Sequence, residues 1–259
     1  MSLVTTDFKD HMGILTLNHP EKRNALSKAL IQDLVSGLRE MKQAGARTVI
    51  LRAPQGVQVW SAGHDIQELT VGGHDPQTYA DPLRQAVRAI ERFPAPVIAM
   101  IEGGVWGGAC EMVMSCDLIF ATPESTFAIT PARLGVAYSI DGTLNFMKTV
   151  GLPLLREMLF TADPITAERA VQYGLINHIL PADELERFTF GIAGRIARNS
   201  PLCISLLKEE LRILAEAHPL TPEAFERLQN LRRALYSSED YQEGLQAFFQ
   251  KRTPDFKGR

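Results

Sequence analysis

The chain has 259 residues, 45% of them hydrophobic and 22% charged, with 27 basic side chains against 30 acidic ones. That is enough apolar material for a sizeable buried core, and the near balance of charge, without a long block of one sign, gives no electrostatic footprint for nucleic acid. Cys110, Cys116 and Cys203 are odd in number and lack CxxC spacing, which argues against a disulfide framework and a cysteine-based zinc site, and no apolar run approaches the length of a membrane span.

A cytoplasmic protein acting on a small molecule is therefore expected. The opening MSLVTTDFKDH shows no basic segment followed by an apolar one, so neither export nor membrane insertion is expected. Residues 3–8 and 12–18 are rich in Val, Thr, Ile and Leu around a polar turn and predict a β-hairpin. Leu26, Leu30, Leu34, Leu38 and Met41 then recur at helical spacing, with Gly45 placed to end the helix in a left-handed turn, and a buried strand follows at 48–51.

Asp81 before Pro82 supplies an N-cap and first residue for a helix carrying Leu83, Val87 and Ile90, which Pro94 and Pro96 stop. Residues 97–101, Val-Ile-Ala-Met-Ile, form a continuous apolar run of the kind buried on both faces of a sheet. The glycines of Gly103-Gly104-Val105-Trp106-Gly107-Gly108 are read as ending that strand and starting a helix. Strand-like 118–121 and 126–129 complete an alternation that predicts an α/β core. Beyond Thr161 the pattern is helical, with segments starting near Thr166, Asp183, Ser200, Thr221 and Ser238 and one short strand candidate at 177–180. The expected division is an α/β core over 1–195 and a helical region over 196–259.

Signatures of several large enzyme classes are missing, among them G-x-S-x-G, HExxH and the P-loop. The six histidines, His11, His19, His64, His74, His178 and His218, lack metal-ligand spacing and read singly as surface or packing residues. Two stretches stand apart, Ser61-Ala62-Gly63-His64-Asp65-Ile66 and Trp106-Gly107-Gly108-Ala109-Cys110-Glu111. Each puts glycine where a strand gives way to a loop or helix, so that a ligand can approach the backbone and unpaired N–H groups can face an anionic oxygen. Tight turns that merely pack helix on strand would use the same residues. Two such stretches in one chain favour the binding role.

Over nearly its whole length the chain resembles the crotonase (enoyl-CoA hydratase/isomerase) superfamily. The resemblance is carried by Arg23-Asn24-Ala25-Leu26-Ser27, by Ala62-Gly63-His64-Asp65, which is similar to the family's A-G-x-D motif, and by Gly107-Gly108-Ala109-Cys110-Glu111. Ser238-Glu239-Asp240, Glu243-Gly244, Ala247-Phe248, Lys251-Arg252 and Pro254 match the family's C-terminal pattern. It implies a ββα spiral core with a C-terminal helical trimerisation region, and trimers often paired into hexamers. It implies an acyl-CoA thioester substrate, no separate cofactor, and a backbone oxyanion hole made by the N–H groups of His64 and Gly108. Coenzyme A would rest on Arg23, Ala25, Ala62, Gly63, His64, Asp65 and Ile66, with Phe248 and Lys251 near its nucleotide end.

Hydratases of the family activate water between two glutamates. Glu111 matches the first, but Pro131 stands where the second is expected, and proline is neither acid nor base. Thr130 and Tyr138 offer neutral hydroxyls nearby, and this segment is similar to that of family members that decarboxylate methylmalonyl-CoA. By that analogy Tyr138 holds the substrate carboxylate, loss of CO2 leaves a thioester enolate, and Glu111 or a water returns the proton. A short-chain enoyl-CoA hydratase or isomerase using Glu111 alone, and a non-catalytic thioester-binding protein, are the alternatives.

Overall fold

A computed structural model of the chain describes residues 2–68, 81–215 and 222–255. His74, His218 and Thr221 lie outside the described residues. The expected hairpin forms from β1 (Val4–Lys9) and β2 (Met12–Leu17), paired antiparallel with Lys9 opposite Met12. Asp10 and His11 turn the chain with φ of 52° and 61°. Two successive left-handed residues give a turn whose twist suits the strands.

From β2 the sheet continues in parallel through β3 (Thr48–Arg52), β5 (Val97–Ile101), β7 (Leu118–Ala121) and the short β10 (His178–Ile179). A second sheet is built from β4 (Val59–Ser61), β6 (Gly104–Trp106), β8 (Thr126–Ala128) and β9 (Ile165–Thr166), in that order. Three helices follow in step: α2 (Pro82–Glu91), α3 (Gly108–Met114) and α4 (Ile140–Thr161). Three times the chain thus lays one strand in each sheet and then a helix: β3, β4, α2; β5, β6, α3; β7, β8, α4. This is the ββα spiral.

Local chemistry explains the helix starts. Ser27 accepts the Leu30 N–H and opens α1 (Lys28–Gln43), which buries Leu30, Ile31, Leu34, Leu38 and Met41. Asp81 accepts the Arg84 N–H ahead of Pro82, as the sequence predicts. β5 is buried at all five positions because its two faces are both covered. On one side lies the main core; on the other, Ile98 and Met100 join Ile50 and Phe120 against Leu185 and Ala193 of α6 (Ala182–Arg198).

The glycine run differs from its sequence reading. Gly103 does end β5, at φ +81°, but the next three residues form β6 in the other sheet before the helix begins. A Cβ on Gly103 would run into the Gln58 carbonyl, so only glycine lets the two sheets share this corner. α4 was also not predicted. Gly151 leaves helical geometry at φ 72°, ψ 167°, two residues before Pro153, so α4 is two short helices on either side of a kink.

After α5 (Ala167–Gln172) and α6, the chain forms α7 (Pro201–Ala215), α8 (Pro222–Tyr236) and α9 (Glu239–Phe249). α7 buries none of its residues, and Leu202, Leu206, Leu211 and Leu214 stand exposed along it. α8 and α9 pack Tyr236, Tyr241 and Leu245 against Ile66, Val136 and Ala137. Gly244 allows this, since a Cβ there would strike the Leu134 carbonyl. Among the described residues no helix is long and apolar enough to cross a membrane.

Candidate active site

The site grows from a loop locked alongside β4. Arg23 and Asn24 are left-handed, at φ 52° and 47°. The buried Asn24 side chain donates to the Trp60 carbonyl at 2.9 Å and accepts the His19 N–H at 2.9 Å, while its own carbonyl accepts the Ser61 hydroxyl at 2.8 Å. Alongside, Ala62 N–H donates to Arg23 O and Leu26 N–H to Gly63 O. These hydrogen bonds, with partners of fixed geometry, hold residues 61–64 in place.

Against this strip lies the start of α3. Gly63 has φ +85°, and Gly107 has φ 56° with its N–H given to the Ala128 carbonyl at 2.8 Å. The point where Gly108 would carry a Cβ is 3.6 Å from the His64 nitrogen. The two N–H groups are therefore neighbours. Gly108 is the first residue of α3, whose opening N–H groups have no intrahelical acceptor. Among the described residues no acceptor is recorded for the Gly108 or His64 N–H.

His64 and Gly108 both line a cavity of about 60 Å³. Ala62, His64 and Ile66 form one wall, Leu83 of α2 another, and Thr130, Pro131, Leu134, Val136 and Tyr138 the rest. Thr130 lies with Oγ1 3.1 Å from the position a Cβ on Gly107 would take. The Tyr138 ring packs edge-on to Phe146, centroids 6.2 Å apart. Burial lifts the Tyr138 hydroxyl well above its usual range, and the charges of Glu111 and Cys110 lift it further. It is a neutral phenol at any physiological pH.

Glu111 lies on α3, three residues beyond Gly108. It is 2% exposed and does not line this cavity; it opens instead onto a second, larger one of about 270 Å³ between α2, α3 and α4, with Arg84, Glu91, Asp141, Asn145 and Lys148. Burial pushes its carboxyl up to about 7, against the opposing pull of the Ser139 hydroxyl and the Arg84 guanidinium and with help from Asp81 and Glu91. Glu111 and Tyr138 are packed together all the same, behind Gly142.

The other expected residues divide. Ala25 is half-buried and Arg23 exposed beside the 61–64 strip, and the Asp65 carboxylate accepts the Gln67 N–H at 3.0 Å, shaping the local turn. Phe248, 45% exposed, lies on α9, and the exposed Lys251 just beyond its end; neither lines the cavity of this chain. The Trp106 ring covers Gly104 and its indole N–H donates to Thr126, so it is framework. His178 packs between Phe120 and Phe188.

Three contributors escaped the sequence reading: Leu83, which closes the cavity over Gly108; Asn24, quoted within a motif but given no role; and Ser139, which caps α4 and holds Glu111. A buried Asn at a left-handed position carries a readable signal, since Asn tolerates that conformation best among non-glycine residues. Leu83 carries none beyond its place on the apolar face of α2.

Comparison with known proteins bears on this geometry. Residues 7–259 match the family model described as enoyl-CoA hydratase/isomerase. The chain is 51% identical over 247 residues to the methylmalonyl-CoA decarboxylase of Escherichia coli, covering 95% of each, and 32% identical over 266 residues to the 2,3-dehydroadipyl-CoA hydratase of the same organism, covering all of both. A solved structure of methylmalonyl-CoA decarboxylase in complex with 2-nitronate-propionyl-CoA superposes with a TM-score of 0.97 at 49% identity, over 99% of each chain. An enoyl-CoA hydratase from Mycobacterium avium subsp. paratuberculosis K-10 superposes at 0.80 with 22% identity over 99% of each, a likeness of fold alone.

Proposed function

The chain belongs to the enoyl-CoA hydratase/isomerase family, and within it we propose that this protein decarboxylates methylmalonyl-CoA to propionyl-CoA through a thioester enolate. One observation carries the reading. The cavity beside the two free N–H groups has no carboxylate among its described lining residues, since Pro131 forms its wall and Glu111 opens onto the other side. Paired-carboxylate hydration lacks its machinery here, whereas decarboxylation needs only a sink for the electron pair that CO2 leaves behind.

The thioester oxygen accepts from the backbone N–H groups of His64 and Gly108. Each such preorganised donor lowers the barrier by roughly 3 kcal/mol once negative charge develops on the oxygen. The imidazole of His64 is not required for this. Tyr138, a neutral donor, hydrogen-bonds the substrate carboxylate and holds the breaking C–C bond perpendicular to the thioester plane, so that its electrons flow into the carbonyl. Ile66, Leu83, Pro131 and Val136 make the surroundings apolar, and an apolar wall solvates the departing carboxylate less well than water does. Thr130 completes the polar side of the pocket. Arg23, Ala25 and the 62–66 strip cradle the coenzyme A, with Phe248 and Lys251 toward its nucleotide end.

The exposed leucines of α7 support self-association as a trimer or a pair of trimers, and light scattering should give a mass of several chains. The free cysteines, with Cys203 exposed, suit a reducing cytoplasm. The activity is tested by incubating the purified protein with methylmalonyl-CoA and following propionyl-CoA by mass spectrometry. Stoichiometric propionyl-CoA and CO2 support the reading; no turnover at any substrate concentration overturns it.

A further inference from the structure

Decarboxylation consumes one proton for each CO2 released, because the carboxylate departs as a neutral molecule and C2 takes hydrogen in its place. The pocket holding the oxyanion donors is small and largely apolar, so the entry of that proton is a structural question. The molecule offers a second cavity for it. Glu111 lines the large cavity between α2, α3 and α4, Tyr138 lines the small one, and the two side chains meet at Gly142. A Cβ on Gly142 would stand 2.9 Å from the Glu111 carboxyl carbon, 2.9 Å from a Tyr138 ring carbon and 2.7 Å from the Ser139 hydroxyl. No other residue lets the start of α4 close over this pair.

Resting on the decarboxylation reading, we propose that the large cavity is the proton-entry chamber of the reaction, and that a proton passes from its water to Glu111, then to the Tyr138 hydroxyl, and then to C2 on the face that CO2 has left. Two observations carry this, together with the role that the decarboxylation reading gives Tyr138. Glu111 Oε1 is buried without a hydrogen-bond partner, whereas Ser139 holds the carboxyl group in place and itself accepts the Gly142 N–H at 2.8 Å. The cavity behind it has charged walls, with Arg84, Glu91, Asp141 and Lys148, and polar walls of this kind retain water. Tyr138, having held the carboxylate, is left with its hydroxyl beside the newly formed enolate carbon.

The balance closes. The bond from C2 to the carboxyl carbon breaks and its electron pair enters the enolate; that pair takes the Tyr138 proton, the phenolate takes the Glu111 proton, and the Glu111 carboxylate is reloaded from water in the chamber. Because burial disfavours a free phenolate, the two transfers are coupled. The groups facing Glu111 are Asp81, Arg84 and Glu91 on or next to α2, Cys110 beside it on α3, and Tyr138, Ser139 and Asp141 at the start of α4. Burial, only partly offset by Ser139 and Arg84, leaves the carboxyl poised between its two states near neutrality, as a shuttle needs.

The test is turnover in D2O with wild type, Glu111→Gln, Glu111→Ala, and Glu111→Ala combined with Leu144→Trp, which plugs the chamber without touching the small cavity. Wild type should place deuterium with retention of configuration. Glu111→Gln should lower kcat at least tenfold at unchanged KM and abolish the pH dependence near neutrality; formate should restore Glu111→Ala severalfold but not the plugged variant. Racemic label from wild type, wild-type kcat in Glu111→Gln, or failure of formate to rescue overturns the route. Should wild type release no CO2, the decarboxylase reading fails on its own. The route is then read from exchange of a C2 hydrogen of propionyl-CoA with D2O, which wild type must catalyse and Glu111→Gln must slow.

Discussion

Gly63 and Gly108 approach so closely that a Cβ on Gly63 would lie 2.9 Å from the Gly108 nitrogen and against the Trp106 carbonyl. This contact sets the two candidate oxyanion donors side by side, since the N–H groups of His64 and Gly108 each follow a glycine at positive φ. A side chain at position 63 faces two penalties at once, a left-handed backbone and a collision with main-chain atoms that cannot rotate away.

Gly63→Ala should therefore destabilise the fold by about 2 kcal/mol or more and lose most of its kcat/KM even where folded, because relief of the clash moves one donor off the other. Chemical denaturation and steady-state kinetics on the same preparation check both parts. A variant with native stability and activity would show that the two strips need no such proximity.

Tyr138→Phe isolates the hydroxyl. The ring keeps its edge-on packing against Phe146, so the unfolding transition should stay close to that of the wild type. kcat should fall by about a hundredfold, the usual scale for losing one positioned donor. An unchanged kcat would remove Tyr138 from the reaction.

Glu111 gives the protein a pH-dependent stability. Its carboxyl rises from an ordinary 4.5 to about 7 in the fold, chiefly through burial. Between those values the native state holds a proton that the unfolded chain has released, so its contribution is full below pH 4.5 and is lost as pH rises through 7, on the order of 3 kcal/mol in all. Glu111→Gln stays neutral throughout. Denaturation should thus show the variant gaining on the wild type from pH 5 to pH 8, and a constant difference would contradict a buried, protonated Glu111.

Much of this was legible in the sequence. The hairpin, the cap at Asp81, the helix start near Ser238 and the apolar run of β5 follow local rules, and the structure has them. β4, β6 and β9 went unread, although the equally short β8 and β10 were expected; β4 and β6 are set in the second sheet by the seam at Asn24 and the corner at Gly103, and β9 by its pairing with β8, contacts between residues far apart in the chain. The same holds for the site. The glycine strips and Pro131 could be read as motifs, but which cavity Glu111 lines follows from how α2 and α4 pack on α3, which depends on residues far apart in the chain.

The most direct test of the central claim is the ratio of kcat/KM for methylmalonyl-CoA decarboxylation to that for crotonyl-CoA hydration in one preparation. A pocket walled by Pro131 and Tyr138, with no carboxylate among its described lining residues, predicts a ratio of at least about a hundred in favour of decarboxylation. Hydration as fast as decarboxylation, or faster, would contradict it.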